Sequence, residues 1–231
     1  MIAYNTNIVR DGLVLHLDAA NVKSYPGSGT TLYDVSGNSL NASALNGASY
    51  ISGNNGTVSL DGVNDCMSFN RGISETGPYS VIQWIKPNVA LVPGGSGASK
   101  PNGANRKTTI VGPGPIWSPG IWVTSDYIRV HAKTQYVDSA INWTTTTWQM
   151  IGMTYDGTNC QVIFGDQILP IAFTTTITFS NTSVLLVGAE NTGGSVYNWN
   201  GEVGPVMLYN KVLSTGEIKQ NFEAIRGRYG I

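Results

Sequence analysis

The chain has 231 residues, of which 41% are hydrophobic and only 12% are charged, and its formal net charge is -1. The charged share is about half of that in a typical soluble protein. Lys and Arg form no long run, which excludes nucleic-acid binding driven by phosphate neutralisation. No apolar run reaches membrane-spanning length, and the first residues lack the pattern of a signal peptide, so we expect no membrane partner and no export by that signal.

Short apolar runs separated by turn residues follow one another along the chain and predict β-strands. Residues 120–124 and 127–130 should form a hairpin around Ser125-Asp126, and Gly165-Asp166 should close a second hairpin. The Gly/Pro/Ser-rich segment from Val89 to Lys107 should be a long loop, which in a compact domain is often functional. The predicted strands cover residues 13–18, 32–35, 50–51, 58–60, 66–69, 79–85, 108–111, 120–124, 127–130, 148–155, 160–164, 184–188 and 206–209.

One segment near the C-terminus predicts a helix over residues 214–226. Ser214 and Glu217 have the spacing of a capping box, apolar residues recur on one face, and Gly227 should end the helix. Many short strands with a single helix predict an all-β fold, a two-sheet antiparallel jelly-roll sandwich with one short C-terminal helix. We find no shift in composition at mid-chain, so we expect one domain over residues 1–231.

The two cysteines, Cys66 and Cys160, each lie in an apolar, strand-like run. We predict that both are buried free thiols, since buried cysteine behaves as a small hydrophobe. A disulfide between them is the alternative.

Several motifs, in the same order and spacing, resemble those of LamG-like jelly rolls in the concanavalin A-like lectin/glucanase superfamily. The opening strand LHLDAAN and the turn TLYDVSGNSLNA are followed by the strands VSLDGVNDCMSF, SVIQWIKPN and WQMIGMTYDGTN, and GEVGPVMLYNKVLSTGEI resembles the closing strand and helix. The last residues, QNFEAIRGRYGI, also resemble the ends of LamG-like proteins from tailed bacteriophages. The resemblance implies the jelly-roll fold, and places Trp84 and Trp148 in its core.

The motifs that carry this resemblance do not include the catalytic residues of the glucanases. Glucanases of the superfamily carry E-x-D-x-x-E on one strand, and no glutamate of this chain has an acid two residues on. Glycoside hydrolysis needs a close carboxylate pair. The two histidines, His16 and His131, lie in separate strands without a G-x-S-x-G motif. We therefore predict that the protein is not an enzyme.

Calcium is the cofactor that the resemblance implies. The matching acids and amides are Asp18, Asp34, Asn38, Asp61 and Asp65. One departure weighs against a site, because Gly204 stands where the closing strand of the family often has Asp. Since Asp and Asn also cap turns by binding their own backbone, both readings of these five residues stay open.

Aromatic residues near loops or strand ends are the candidate ligand contacts, since exposed rings stack on sugars and also anchor protein interfaces. These residues are Trp117, Trp122, Trp143, Tyr197 and Trp199.

The C-terminal tail favours an interaction role. Arg226, Arg228, Tyr229 and Ile231 follow the predicted helix stop and would suit contacts with partner subunits. We also expect a chain lacking residues 227–231 to fold, because the predicted strands lie upstream.

Two functions follow. The first is a structural protein of a phage virion (head decoration, fibre or tail-associated), acting through other virion proteins or as a homo-oligomer. The second is a carbohydrate-binding adhesion module for surface glycans, on a virion or in an extracellular, cell-surface setting.

Overall fold

A computed structural model describes residues 7–70, 72–73, 77–91, 93, 106–107, 120–132, 135–174, 184–189 and 198–231. Over these residues the chain is mostly β-strand, with one α-helix, α1 (Thr215–Ile225), and two short 3-10 turns, Gly53–Asn55 and Arg226–Tyr229. None of the helical segments in these ranges is long and apolar enough to cross a membrane. The strands are β1 Leu13–Leu17, β2 Thr31–Leu32, β3 Ala42–Leu45, β4 Ser49–Ile51, β5 Thr57–Asp61, β6 Cys66–Asn70, β7 Tyr79–Pro87, β8 Arg106–Lys107, β9 Gly120–Val123, β10 Tyr127–Ala132, β11 Gln135–Ala140, β12 Gln149–Tyr155, β13 Asn159–Phe164, β14 Gln167–Thr174, β15 Val184–Val187 and β16 Asn200–Tyr209.

The strands form antiparallel sheets. The largest has eight strands in the order β14-β13-β12-β7-β16-β5-β4, with β1 also pairing to β16. Two four-stranded sheets, β11-β10-β9-β8 and β15-β6-β3-β2, make up the opposite layer in the described residues. The predicted jelly-roll sandwich is confirmed, with its second layer divided between two hydrogen-bonded sheets.

The main core lies between the eight-stranded sheet and the two smaller sheets. Alternate residues of the central strands point into it, as the two-residue period of a strand requires. From the large sheet come side chains such as Val81, Ile85 and Met153, and from the smaller sheets come Val130 and Leu185, all at most 2% exposed.

The other face of the large sheet is also buried, by α1 and by the two ends of the chain. Ile82 and Trp84 of β7 point to this side, where they pack with Ile218 and Ile225 of α1. A strand that is covered on both faces carries mostly apolar residues, and in β7 the polar Ser80 and Gln83 are buried among them. That explains the nearly unbroken burial of β7, and Trp84 and Trp148 are core residues as the sequence indicated.

The helix begins and ends within one residue of its predicted bounds, 214–226. Ser214 Oγ accepts from the Glu217 N–H, and the Glu217 carboxylate accepts from the Ser214 N–H, so the capping box is present. The α-helix stops at Ile225, and the chain continues as a 3-10 turn to Tyr229. Arg226 is the C-cap of the α-helix, so Gly227 directly follows the cap as predicted. Gly230, with φ 72°, adopts the left-handed conformation that ends the 3-10 turn.

Both cysteines are free and buried, as predicted. Burial raises the pKa of the Cys66 thiol to about 11 and that of Cys160 to about 12. Both thiols are therefore protonated at neutral pH.

Candidate functional site

The five aromatic residues predicted to contact a ligand have different surroundings. Trp117 and Tyr197 lie outside the described residues. Trp143 is 3% exposed and Trp199 is fully buried, and their ring centroids lie 6.4 Å apart in the main core. That burial does not fit a role as exposed stacking surfaces. Trp122 on β9 is partly exposed. Of the predicted ligand contacts that the structure describes, it is the one that a ligand can reach.

Trp122 lies on the outer face of the sheet β11-β10-β9-β8. Its neighbours in sequence, Ile121 and Val123, are fully buried against the core, so the pleat turns Trp122 outward. Arg129 of β10 pairs directly with Trp122, and Asp138 of β11 pairs directly with Arg129. Cross-strand neighbours on one face have Cβ atoms about 4.5–5.5 Å apart, so these side chains form a row across three strands.

The row is held together by charge and by ring contacts. Arg129 Nε donates to Asp138 Oδ1 at 2.6 Å and Arg129 Nη2 donates to Oδ2 at 2.7 Å, which is a bidentate pair. The Arg129 Cζ atom lies 5.1 Å from the Tyr127 ring centroid and 5.8 Å from the Trp122 centroid, within cation–π range. Arg129 is therefore oriented between two aromatic rings and a carboxylate. We name Trp122, Tyr127, Arg129 and Asp138 the sheet-face cluster.

Aromatic rings, a guanidinium and a carboxylate on one partly exposed face provide both apolar and polar contacts. The rings offer flat apolar surface, the guanidinium donates hydrogen bonds and the carboxylate accepts them. The side chains of Arg129 and Asp138 are 20% and 36% exposed, so solvent reaches their polar ends. Such a surface can contact the apolar face of a sugar ring and its hydroxyl groups together.

Three members of this cluster were not identified from the sequence. The pairing of Trp122 with Arg129 could have been predicted from the hairpin around Ser125-Asp126, because a two-residue turn at that position places residue 122 opposite residue 129. The structure has this register. Asp138 could not be found in this way, since β11 had no clear alternating pattern.

The five residues expected to bind calcium mostly bind the backbone of their own turns. Asp34 accepts hydrogen bonds from the N–H groups of Ser36 and Leu40 at 2.8 and 3.1 Å. Asn38 Nδ2 donates to the carbonyl of Val14 at 2.9 Å. Asp34 thus acts in turn formation, one of the two interpretations that the sequence allowed, whereas Asn38 connects this turn to β1.

Asp18, Asp61 and Asp65 complete this set. The Asp18 carboxylate pairs with Arg228, and Asp61 Oδ1 accepts from the Val63 N–H at 2.7 Å. Asp65 is buried, its Oδ2 accepts from the Asp61 N–H at 3.0 Å, and burial raises its pKa. Among the described residues, no group of three or more His, Cys, Asp or Glu side chains comes together. The four predicted aspartates therefore do not form one ligand set for a cation that takes six to eight oxygen ligands.

The C-terminal tail packs on its own chain. Tyr229 is 9% exposed and stacks on Trp148, with ring centroids 4.0 Å apart. Arg228 Nη1 lies 3.0 Å from both carboxylate oxygens of Asp18. Arg226 pairs with Glu223 and donates to the carbonyl of Ile231. From these contacts we now expect that removal of residues 227–231 destabilises the fold, which differs from the expectation drawn from the sequence.

The packing of the tail also explains why residue 204 is a glycine. A Cβ atom at this position would collide with the Tyr229 hydroxyl and press against Trp84. The glycine that departs from the family pattern therefore makes room for the tail.

Solved structures with a similar fold were found at low sequence identity. The binding domain of Paraclostridial Mosquitocidal Protein 1 aligns with a TM-score of 0.66 and 15% identity, covering 92% of this chain and 52% of the other. This chain thus spans about half the length of that structure. A sialidase of Trypanosoma rangeli, in complex with sialic acid, aligns with a TM-score of 0.66 and 16% identity, covering 94% of this chain and 33% of the other.

A third structure matches along nearly its whole length. It is domain 4 of AbnA, an extracellular arabinanase of Geobacillus stearothermophilus, in complex with arabinotriose, with a TM-score of 0.65 and 14% identity, covering 90% of this chain and 97% of the other. At such identities these likenesses concern the fold alone.

No curated protein sequence matches the chain. The family model described as the concanavalin A-like lectin/glucanases superfamily matches residues 52–219, which is well over half of the sequence. The matched region includes the strands of the large sheet from β5 to β16 and the sheet-face cluster. The chain therefore belongs to the concanavalin A-like lectin/glucanases superfamily.

Proposed function

We propose that this protein is a non-catalytic carbohydrate-binding module that recognises surface glycans through the sheet-face cluster. The observation that carries the proposal is the direct cross-strand pairing of Trp122 with Arg129 and of Arg129 with Asp138 on a partly exposed face. This arrangement combines flat aromatic surface with oriented hydrogen-bonding groups, as sugar recognition requires.

The composition and the similar folds support this proposal. The chain has few charges and many neutral polar residues, which suits a neutral, hydroxyl-rich partner. A domain of closely similar length and the same fold is in complex with arabinotriose, and another neighbour is the binding domain of a mosquitocidal protein. A glycan partner would place the protein in an extracellular or cell-surface setting.

A structural role in a phage virion has less support. It rests on an ending that resembles phage sequences, on the low charge, on the lack of a signal-peptide pattern and on the lack of catalytic motifs. It also expects the tail to contact other virion proteins or a second copy of the chain. Arg228 and Tyr229 instead make their contacts within the chain. Arg226 and Ile231 stay partly exposed, so the tail supports a partner surface less than its sequence suggested. Glycan binding is the function we propose.

The test is a glycan array probed with the labelled full chain, followed by titration of the best ligand, with arabinotriose included as a probe. Trp122→Ala should weaken binding at least tenfold, because aromatic residues at the centre of a contact commonly supply about 2 kcal/mol or more. Tyr33→Ala is the matched control, since Tyr33 is an aromatic residue that is 45% exposed on another part of the surface. A chain that binds no glycan, or equal losses in both variants, would reject the proposal. Release of reducing sugar from a bound ligand would reject the non-catalytic assignment.

A further inference from the structure

The ion pair between Arg129 and Asp138 is the most directional contact of the sheet-face cluster. Arg129 Nε donates to Asp138 Oδ1 at 2.6 Å, and Arg129 Nη2 donates to Oδ2 at 2.7 Å. The two residues are also direct partners across β10 and β11, so the backbone register and two parallel hydrogen bonds hold the same geometry. Bidentate arginine–carboxylate pairs are among the stronger hydrogen-bonded contacts in proteins. The cluster therefore presents a positive and a negative charge side by side in a fixed arrangement.

Both charges are accessible to a ligand. The side chain of Arg129 is 20% exposed and that of Asp138 is 36% exposed. The residues on either side of Arg129, Ile128 and Val130, are fully buried in the core, so Arg129 points to the outer face of the sheet. A ligand group that comes close to Arg129 on this face also comes close to Asp138.

This arrangement distinguishes uncharged from anionic ligands. A sugar hydroxyl can accept a hydrogen bond from the guanidinium and donate one to the carboxylate. A carboxylate or sulfate group is attracted by Arg129 and repelled by Asp138, and it also has to give up part of its hydration. The rings of Trp122 and Tyr127 add to the repulsion, because the faces of aromatic rings carry partial negative charge. Asp126, exposed at the tip of the same hairpin, contributes a further negative charge.

We infer that Asp138 is a specificity-determining residue of the sheet-face cluster, and that it restricts binding to uncharged glycans by excluding sugars that carry a carboxylate or sulfate group. The inference rests on the proposed function, because it names the class of glycan that the same site accepts. It is nevertheless a separate claim, since a site can bind glycans without discriminating between charged and uncharged ones.

The variant Asp138→Asn isolates the charge. It keeps the size of the side chain and one carbonyl oxygen, and it leaves Arg129 without the opposing carboxylate. Attraction between opposite unit charges in contact corresponds to at least about fivefold in affinity, even in water. We therefore expect the ratio of anionic to neutral glycan affinity to rise at least about fivefold at low salt. The gain should shrink at high salt, because the Debye length falls from about 10 Å at 0.1 M to about 3 Å at 1 M.

The test uses the full chain on an array of matched glycan pairs. Each neutral oligosaccharide stands beside its carboxylated or sulfated counterpart, as with oligomers of galactose and of galacturonic acid. Titration of the best pair then gives both affinities for each variant. The wild type should bind the neutral member more tightly, and Asp138→Asn should shift the preference toward the anionic member. Trp122→Ala should weaken the binding of both members, which would show that they bind at this site.

Glu223→Gln is the matched control. Glu223 pairs with Arg226 at 2.7 Å, and its side chain is also 36% exposed. It lies on α1, which covers the other face of the large sheet, so the variant removes the same charge from an arginine–carboxylate pair on the opposite side of the sandwich. The ratio of affinities should stay unchanged. Asp138→Ser also removes the charge and should act in the same direction as Asp138→Asn, which it replaces if that variant does not fold.

Sodium sulfate tests the charge compensation without any glycan. The readout is the NMR signal of the Arg129 Nε–H group at low ionic strength. The double variant Arg129→Gln/Asp138→Asn assigns this signal by lacking it, and it should also lose the gained affinity for anionic glycans. Sulfate should produce a saturable shift of the signal in Asp138→Asn and no saturable shift in the wild type.

The outcomes separate this inference from the proposed function. The inference is overturned if the wild type binds anionic members as tightly as neutral ones, if Asp138→Asn leaves the ratio of affinities unchanged, or if Glu223→Gln changes it by the same factor. Equal sulfate shifts in the wild type and in Asp138→Asn would also overturn it. A chain that binds no member of any pair rejects the proposed function and this inference with it, whereas Trp122-dependent binding without charge discrimination rejects this inference alone.

Discussion

Removal of the Tyr229 side chain should strongly destabilise the fold. The ring stacks on Trp148 at 4.0 Å between centroids and lies 5.1 Å from the Trp84 centroid, and only 9% of the residue is exposed. Replacing a buried aromatic side chain by Ala typically costs about 3–5 kcal/mol, because the buried contacts are lost and a cavity remains. The paired ring contacts add to the burial of apolar area. We therefore expect Tyr229→Ala to lower the free energy of unfolding by about 3–4 kcal/mol.

Urea unfolding followed by tryptophan fluorescence measures this loss. Tyr229→Phe is the matched control, because it keeps the ring and removes only the hydroxyl that Arg228 contacts. It should cost about 1 kcal/mol, the usual net value of a hydrogen bond. If the Ala variant does not fold, Tyr229→Leu should give an intermediate loss. A loss below about 1 kcal/mol for Tyr229→Ala would show that the tail does not stabilise the domain and would restore the expectation that residues 227–231 are dispensable.

Three further predictions concern the large sheet, the thiols and the helix. Gly204→Ala should destabilise the protein, and Tyr229→Phe should relieve part of that loss in a double-mutant cycle, because the new Cβ meets the hydroxyl. Cys66 and Cys160 should react slowly with a thiol reagent at pH 8 in the native state and yield two thiols after denaturation without reductant, since burial raises the pKa of each. The hydrogen bond from Lys211 lowers the pKa of Glu217 below 4.5, so its stabilising contribution is present above that pH and is lost as the pH falls through the folded-state value. Glu217→Gln should weaken this part of the acid dependence in urea titrations at pH 3–6, and unchanged acid dependence would contradict the assignment.

The sequence alone determined the features that depend on neighbouring residues. Three predicted features are present in the structure: the capping box of Ser214 and Glu217, the hairpin around Ser125-Asp126 and the hairpin at Gly165-Asp166. Each is set by local hydrogen bonds and by turn geometry within a few residues. The burial of Cys66 also followed from its apolar run.

Only the tertiary structure decided which exposed or polar side chains meet. Trp143 and Trp122 occur in similar sequence settings near strand ends, yet Trp143 is buried beside Trp199 while Trp122 faces outward beside Arg129. That outcome depends on how one sheet lies over another. No local pattern encodes such a relation, because it is fixed by residues distant in sequence.

The C-terminal tail also shows which properties follow from the sequence and which depend on the tertiary structure. Its composition of arginines, an aromatic residue and a terminal isoleucine suits an interface, and the sequence established that much. Whether the partner is another molecule or the same chain depends on a long-range fit. Here Gly204 leaves room for the Tyr229 hydroxyl and Asp18 lies within reach of Arg228, some 210 residues away in sequence. The sequence determined the turns, the helix and many of the strands, but not β3, β11 or β14. The packing of the chain ends on the large sheet decided which of their side chains remain free to bind.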